Sequence, residues 1–285
     1  MTEREINRGF DTVSRGFERM EKDGVAWVYA KQLAEAGAWH GFTTRHGGVS
    51  DGAESIRTLN FSDRHDSSEN VRQNYQRWAK AADMDFDTMV AVNYEHGDGV
   101  EIVDASDCGR GFRDDMDVLP HCDGLITKHE NVALITSHAD CMPVFLMEPN
   151  VGVISGIHSG WKGTSMRIAQ KSAQKMIDVF GAKPSEIIAA IGPSISQEHF
   201  EVDAPVRDSF AAEFSNVEAI RYREETNKYH IDLWKILVAQ LMEAGISAKN
   251  ITLAGVCTFA CAEDYFSYRR DGLACGSMIG FIRKG

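Results

Sequence analysis

The stretch "VGVISGIHSGWKGTSMRIAQKSAQKMIDVFG" (residues 151–181) changes character halfway along. Residues 151–158 form a short apolar run of the kind a buried strand uses. From residue 164 the apolar positions recur at steps of three and four. Met166, Ala169, Ala173, Met176, Ile177 and Phe180 then share one face, and Gly181 stands where a helix C-cap belongs. Between the two lie a histidine, a tryptophan and a lysine set among glycines, a composition that a hydrophobic core does not ask for. The strand therefore delivers His158 to its end, just before a helix begins.

The same two patterns recur outward from this point. Helical spacing is clear in 69–84, where Val71, Tyr75, Trp78, Ala79 and Ala82 line one face. It returns in 203–214, opened by Asp203 and Pro205, and in 232–245, which runs from Asp232 to Gly245. Strand-like apolar runs fall at 26–30, 88–93, 100–104, 132–137, 143–147, 186–192, 251–256 and 277–282. The two kinds of element mix without strict alternation. This predicts an α/β (α+β) chain with a mixed sheet, or two sheets, and helices outside, in preference to a doubly wound parallel fold. The most loop-like segments, 57–70 and 106–120, do not read as linkers, so residues 25–285 are expected to form a single domain after a polar N-terminal extension at 1–24.

With 43% hydrophobic and 25% charged residues, the 285-residue chain has the composition of a soluble globular protein. Its net charge of −12 shows no basic stripe, which argues against nucleic acid as a partner and reads as solubility. No stretch approaches the roughly 20 apolar residues that span a bilayer, and the N-terminus lacks the apolar core of a secretory signal. A cytoplasmic protein is expected, with no membrane partner. Its six cysteines are then free, metal-bound or catalytic in preference to bridged.

Three segments share one chemistry, a strand-like run next to a metal-ligand residue and small neighbours. They are "VAVNYEHGDGVEIV" with His96, "VALITSHADCMPVFL" with Cys141, and "VGVISGIHSGWKGT" with His158. Two imidazoles and a thiolate suit Zn²⁺ and leave a fourth position for water or substrate. The residues alone support a second reading equally, in which Cys141 is a nucleophile and His158 its base. A third cluster, "CTFAC" with Cys257 and Cys261, lacks the second close pair that a four-cysteine zinc site needs.

Seven motifs, in order, resemble the YfiH family, also called the laccase-domain or DUF152 family. They are "GFTTRHGGVS", "EHGDGV", "CDGLIT", "ADCMPVFL", "IHSGWKGT", "IGPSI" and "CTFACAEDYFSYRRDG", spread from about Trp39 to the end. The chain departs from the family pattern at Lys162 and Ser277, where arginine is usual. It departs also at His138, where threonine is usual, and at Ser194, where cysteine is frequent.

The resemblance implies a four-layer α/β/β/α sandwich related to the catalytic domain of cytotoxic necrotizing factors. It implies metal ligands at His96, Cys141 and His158, holding zinc, with copper as the alternative ion. Members carry the names purine nucleoside phosphorylase, polyphenol oxidase and peptidoglycan editing factor. The implied partners are a purine nucleoside and phosphate, with the protein a monomer or homodimer.

Around the ligands, Arg45 with Gly47 and Gly48 is expected to clamp an anion, and Lys162 to supply a cation. Arg269 is expected to face the site while Arg270 pairs with an acid such as Asp271. Asp140 and Asp123 are the acids placed to orient a ligand histidine from behind, Asp140 foremost because it adjoins Cys141. Asp123 is also expected to bind substrate, and His138 to add an imidazole nearby. Trp161 and Phe42 can stack on a base or pack the core. Three activities follow: zinc-dependent phosphorolysis of adenosine or inosine with possible deamination, cysteine hydrolysis in peptidoglycan precursor editing, and copper-dependent phenol oxidation. The last stands against the absence of any His-x-His pair among the ten histidines.

Overall fold

The computed structural model describes residues 1–92, 94–113, 116 and 118–285; the end of the 88–93 run and positions 114, 115 and 117 of the 106–120 loop lie outside them. Its helices are α1 (Glu3–Thr12), α2 (Lys31–Glu35), α3 (Ser68–Ala82), α4 (Trp161–Ser165), α5 (Ile168–Phe180), α6 (Ala204–Glu213), α7 (Leu233–Glu243) and α8 (Tyr268–Asp271). The strands are β1 (Phe17–Lys22), β2 (Val25–Ala30), β3 (Ala38–Thr43), β4 (Met89–Val90), β5 (Val100–Ile102), β6 (Gly124–Thr127), β7 (Ala133–His138), β8 (Met142–Glu148), β9 (Val153–Ser159), β10 (Ile188–Ile191), β11 (Glu201–Val202), β12 (Ile220–Arg223), β13 (Lys228–Ile231), β14 (Ile251–Leu253) and β15 (Met278–Lys284).

The described residues form a mixed α/β protein with three sheets. One large sheet runs β1-β2-β3-β15-β7-β4, the other β14-β10-β8-β9-β6-β5, and a small one β11-β13-β12. Both large sheets are mixed: β4 joins β7, β14 joins β10 and β5 joins β6 in parallel, and the remaining pairs are antiparallel. In the first sheet β15 lies in the middle, bonded to β3 on one side and β7 on the other.

Three apolar clusters account for the arrangement. Phe42, Leu134 and Ile282 of the first sheet meet Leu125, Phe145 and Ile154 of the second, which fills the space between the sheets. Trp78, Ala79 and Ala82 of α3 cover the outer face of the first sheet, packing in one cluster with Met89, Ile135 and Phe281 of its strands. Ile168, Ala173 and Met176 of α5 and Leu237 and Leu241 of α7 cover the outer face of the second. Strands β8 and β9 are thus covered on both faces, and all seven residues of each are buried. That is why their sequence reads as continuous apolar runs without alternation.

Local chemistry sets several boundaries. The helix expected from residue 164 is two helices, α4 and α5, because Arg167 adopts a left-handed conformation (φ 65°) and turns the chain between them. Its guanidinium is held there by Glu243 at 2.6 Å and by Glu213. Gly181 caps α5 in a left-handed conformation, and the Asp232 carboxylate caps α7 by accepting the Lys235 N–H at 3.0 Å. Asp203 precedes α6 but does not cap it; its carboxylate goes to Lys228 instead.

The N-terminal segment is built into the fold. Thr2 and Glu5 make a reciprocal capping box on α1, Ile6 is fully buried in the cluster beneath α7, and β1 pairs with β2 along six residues. No helix among the described residues is long and apolar enough to cross a membrane.

Candidate metal centre

The pairing of β8 with β9 builds the centre. Pro143 faces His158 and Met142 faces Ser159 across the ladder, so Cys141, one residue before β8, emerges beside the end of β9. The third residue, His96, comes from the segment between β4 and β5 and has a left-handed backbone (φ 57°). One ligand atom from each of His96, Cys141 and His158 lies within 4.8 Å of the others. The two imidazoles stand nearly perpendicular with ring centres 4.9 Å apart. His158 is buried, Cys141 half-buried and His96 exposed, so the cluster opens to solvent on the His96 side.

One carboxylate orders this cluster from behind. Asp123, entering β6, is buried and accepts a hydrogen bond from His158 Nδ1 at 2.8 Å. It also accepts the backbone N–H groups of Glu95, His96 and Gly97 at 3.2, 3.1 and 2.8 Å. The same group therefore orients one ligand ring and shapes the loop that carries the other. Donation from Nδ1 leaves the lone pair on Nε2 for the centre. Burial acts to raise the Asp123 carboxyl, but the His158 ring and the loop amides outweigh it and hold the group below its usual range.

Asp140, expected foremost in this role, faces elsewhere. Its backbone turns left-handed (φ 83°), and its carboxylate takes hydrogen bonds from Thr258 Oγ1 at 2.6 Å, Ser267 Oγ at 3.0 Å and the Arg269 N–H at 2.6 Å. It fastens the segment 258–269 beside Cys141 and makes no hydrogen bond to a ligand imidazole.

The electrostatics of the cluster favour a thiolate. Burial pushes the Cys141 thiol up, but the adjoining His158 and His96 imidazoles overcome this and bring it down to about 6. Burial likewise opposes charge on His158, and Cys141 and Asp123 raise it to about 9. A free position is built in by Gly160. A Cβ there would lie 3.0 Å from His96 Cδ2 and 3.3 Å from Cys141 Sγ, so any side chain would occupy the space the three ligands face. A soft sulfur, two imidazole nitrogens and space at their meeting point fit a single Zn²⁺ or copper ion. Among the described residues this is the one group of three such ligands.

The other expected residues divide between site and scaffold. Arg45 is buried, and its guanidinium donates to the carbonyls of Arg57 (2.7 Å), Ala262 (2.8 Å) and Glu54 while lying over the Phe266 ring. Gly47 and Gly48 press against the backbone of Gly24–Val25 and Thr58–Leu59, closer than a Cβ allows, so their role is close chain approach. Arg269 donates to the carbonyls of His199 (3.1 Å) and Glu201 (2.7 Å), and Arg270 pairs with Asp271 at 2.9 Å. Arg45, expected as an anion clamp, and Arg269, expected to face the site, thus both direct guanidinium N–H groups to backbone carbonyls.

Lys162 is exposed on α4, its ammonium 5.7 Å from the Trp161 ring centre, and it makes no ion pair among the described residues. Phe42 is fully buried and stacked on Phe145 at 4.6 Å, a core contact. His138 is buried, and burial with the nearby His158 charge brings it down to about 3. Cys257 of "CTFAC" lies 3.5 Å from His199 Nδ1, and all six cysteines are free.

Two contributors escape the sequence reading. Tyr94 packs its ring on His158 at 4.7 Å and ties its hydroxyl to the Ile135 carbonyl and the Ser137 N–H of β7. Gly160 keeps the centre open; the signal for it was present in the glycines flanking Trp161.

Comparison with known proteins agrees with this architecture. A family model described as multi-copper polyphenol oxidoreductase laccase matches residues 39–284. The chain is 36% identical to a purine nucleoside phosphorylase of Deinococcus radiodurans over 263 residues, 92% of this chain and 94% of that one. It is 31% identical to adenosine deaminase RL5 from an unknown prokaryotic organism over 246 residues, 85% of this chain and 93% of that one. The crystal structure of YlmD from Geobacillus stearothermophilus superimposes with a TM-score of 0.86 at 31% identity, covering 95% of this chain and 99% of that one.

Proposed function

The chain belongs to the multi-copper polyphenol oxidoreductase laccase family, and on that premise we propose that it is a zinc-dependent purine nucleoside phosphorylase with adenosine deaminase activity. The observation that carries the reading is the meeting of His96, Cys141 and His158 around the space kept by Gly160, in a chain whose relatives are named for those two activities. Bound at these residues, Zn²⁺ would supply a Lewis acid and a water that ionises near neutral pH.

The remaining chemistry falls to the chain itself. Asp123 keeps His158 and the His96 loop in register, so that both imidazoles present lone pairs to one point. Lys162, exposed on α4 and without an ion pair among the described residues, is the cation we assign to phosphate, because Arg45 and Arg269 are engaged with backbone carbonyls. In phosphorolysis a phosphate oxygen bonds to C1′ as the C1′–N9 bond breaks, and the base leaves with the electron pair and takes up a proton. The test is incubation with inosine and phosphate, then with adenosine alone, followed by chromatography. Hypoxanthine and ribose 1-phosphate in the first and inosine in the second are expected; neither product above background overturns the reading.

One observation favours a second reading, that of a cysteine hydrolase or amidase acting on peptidoglycan precursors. Cys141, His158 and Asp123 are arranged as nucleophile, base and orienting acid, with the thiol already lowered. Metal content separates the two. About one zinc per chain, lost in Cys141→Ser, supports the first reading; a metal-free protein inactivated by one equivalent of a thiol alkylator supports the second. Copper in the same three ligands is tested by dioxygen uptake with a phenol on protein of known metal content.

The same proposal extends to the frame of the site. The three stacked apolar clusters support four layers, helix, sheet, sheet and helix, as in cytotoxic necrotizing factor catalytic domains. We take residues 25–285 as the catalytic domain, to which residues 1–24 add α1 and the edge strand β1, and the protein as a monomer or homodimer, cytoplasmic in line with its free cysteines.

A further inference from the structure

The space between the two large sheets holds two buried histidines that the chain treats differently. His40 is satisfied on both nitrogens: Nε2 accepts the Ala30 N–H at 3.0 Å and Nδ1 donates to the Ala38 carbonyl at 3.2 Å. His138 is 4% exposed, and neither of its ring nitrogens has a hydrogen-bond partner among the described residues, with Nδ1 wholly buried. An imidazole left unpaired in a closed core is less stable there than an apolar side chain of similar size. A polar ring retained at such a place finds its partner in something that enters.

His138 lies close enough to the metal centre to feel the His158 charge. It ends β7, three residues before Cys141, with its ring beside Phe42 and against Gly280. The N–H of its neighbour Ser137 is bonded to the Tyr94 hydroxyl, and the Tyr94 ring packs on His158. Two departures from the family pattern also share this corner. Ser277 Oγ bonds Ser137 Oγ at 2.6 Å and the His138 carbonyl at 3.4 Å, and Met278 faces His138 in the β7–β15 register.

We propose that His138 is a substrate-contacting residue that hydrogen-bonds the purine base, an inference that rests on the nucleoside reading above. A neutral imidazole offers one N–H and one lone pair and exchanges them between its tautomers. It therefore meets a 6-amino edge as acceptor and a 6-oxo edge as donor, which suits one site to both adenosine and inosine.

The experiment compares wild type with His138→Thr and His138→Phe. It measures kcat/KM for adenosine and for inosine with phosphate, adenosine binding by equilibrium dialysis, zinc per chain, and Tm. A fall in adenosine affinity, or a change in the adenosine-to-inosine kcat/KM ratio, of about tenfold or more is expected in both variants. Zinc content stays at the wild-type level, and Tm is not lowered in His138→Phe, because that change removes an unpaired polar group. Affinity and ratio within about twofold of wild type in His138→Thr overturn the inference, as does a lowered Tm with loss of zinc, which marks a structural residue. A wild type that binds neither nucleoside overturns the purine reading and this inference together. A wild type that binds and turns over both nucleosides, with affinity and ratio that survive the substitutions, overturns this inference alone.

Discussion

Asp123 and His158 are joined twice, side chain to side chain at 2.8 Å and backbone N–H to carbonyl at 2.7 Å. Two attachments fix both the strand and the ring it carries. With the three loop amides on the same carboxylate, the geometry of the centre is set by a residue that supplies no ligand atom to it.

Asp123→Asn keeps the size but turns one acceptor oxygen into a donor, so one of its bonds to the His158 ring or the loop is lost. Zinc affinity, measured by competition with a chelator, is expected to fall about 10- to 100-fold. Wild-type affinity in this variant would show that the ring needs no such partner.

Gly160→Ala isolates the free space at the centre. The backbone there is ordinary (φ −69°), so alanine brings no conformational strain, and its methyl falls 3.0 Å from His96 and 3.3 Å from Cys141. Zinc binding and turnover are expected to drop at least about tenfold with Tm within a few degrees of wild type. A fully active variant would place the reacting space on another side of the ligands.

In metal-free protein the Cys141 thiol is an acid held low, at about 6, so the thiolate is present above that pH where an ordinary thiol is still protonated. The rate of alkylation by iodoacetamide is expected to rise through pH 6, and to shift to higher pH in His158→Gln, which removes the neighbouring charge. Bound zinc suppresses the reaction. A midpoint near the ordinary thiol value in the wild type contradicts the assignment.

Ile6 lies fully buried under α7, although the first 24 residues read as a polar extension. Ile6→Ala is expected to cost about 2–5 kcal/mol in urea unfolding, the range for a large core side chain cut to alanine. No loss of stability would mean that α1 is peeled away in solution.

How much of this was legible in the sequence depends on how far each signal is local. The seven-residue strands β8 and β9 and the helices α3 and α7 were plain, since apolar runs and three-four spacing are carried by neighbours in the chain. The break at Arg167 was not, because it depends on Glu213 and Glu243, which the sequence keeps far away. His96, Cys141 and His158 could be singled out as chemical types, and the fold brings them together. The division of labour around them could not. Asp140 adjoins a ligand in sequence and serves another segment, while Asp123, 35 positions from His158, holds its ring. The carbonyls that Arg45 and Arg269 bond were not legible either, because a motif shows an arginine's charge and hides the groups that use its N–H donors.

The middle position of β15 bears on how the molecule is made. Strands β1 to β3 precede β4 and β7 in the chain, yet the ladder that unites these two halves is supplied by β15, which follows them all. Until residue 284 is free, each half exposes an open strand edge, a template for wrong pairing. The first sheet therefore closes only once β15 has been made, and a nascent chain that still lacks this strand is the one in need of chaperone cover.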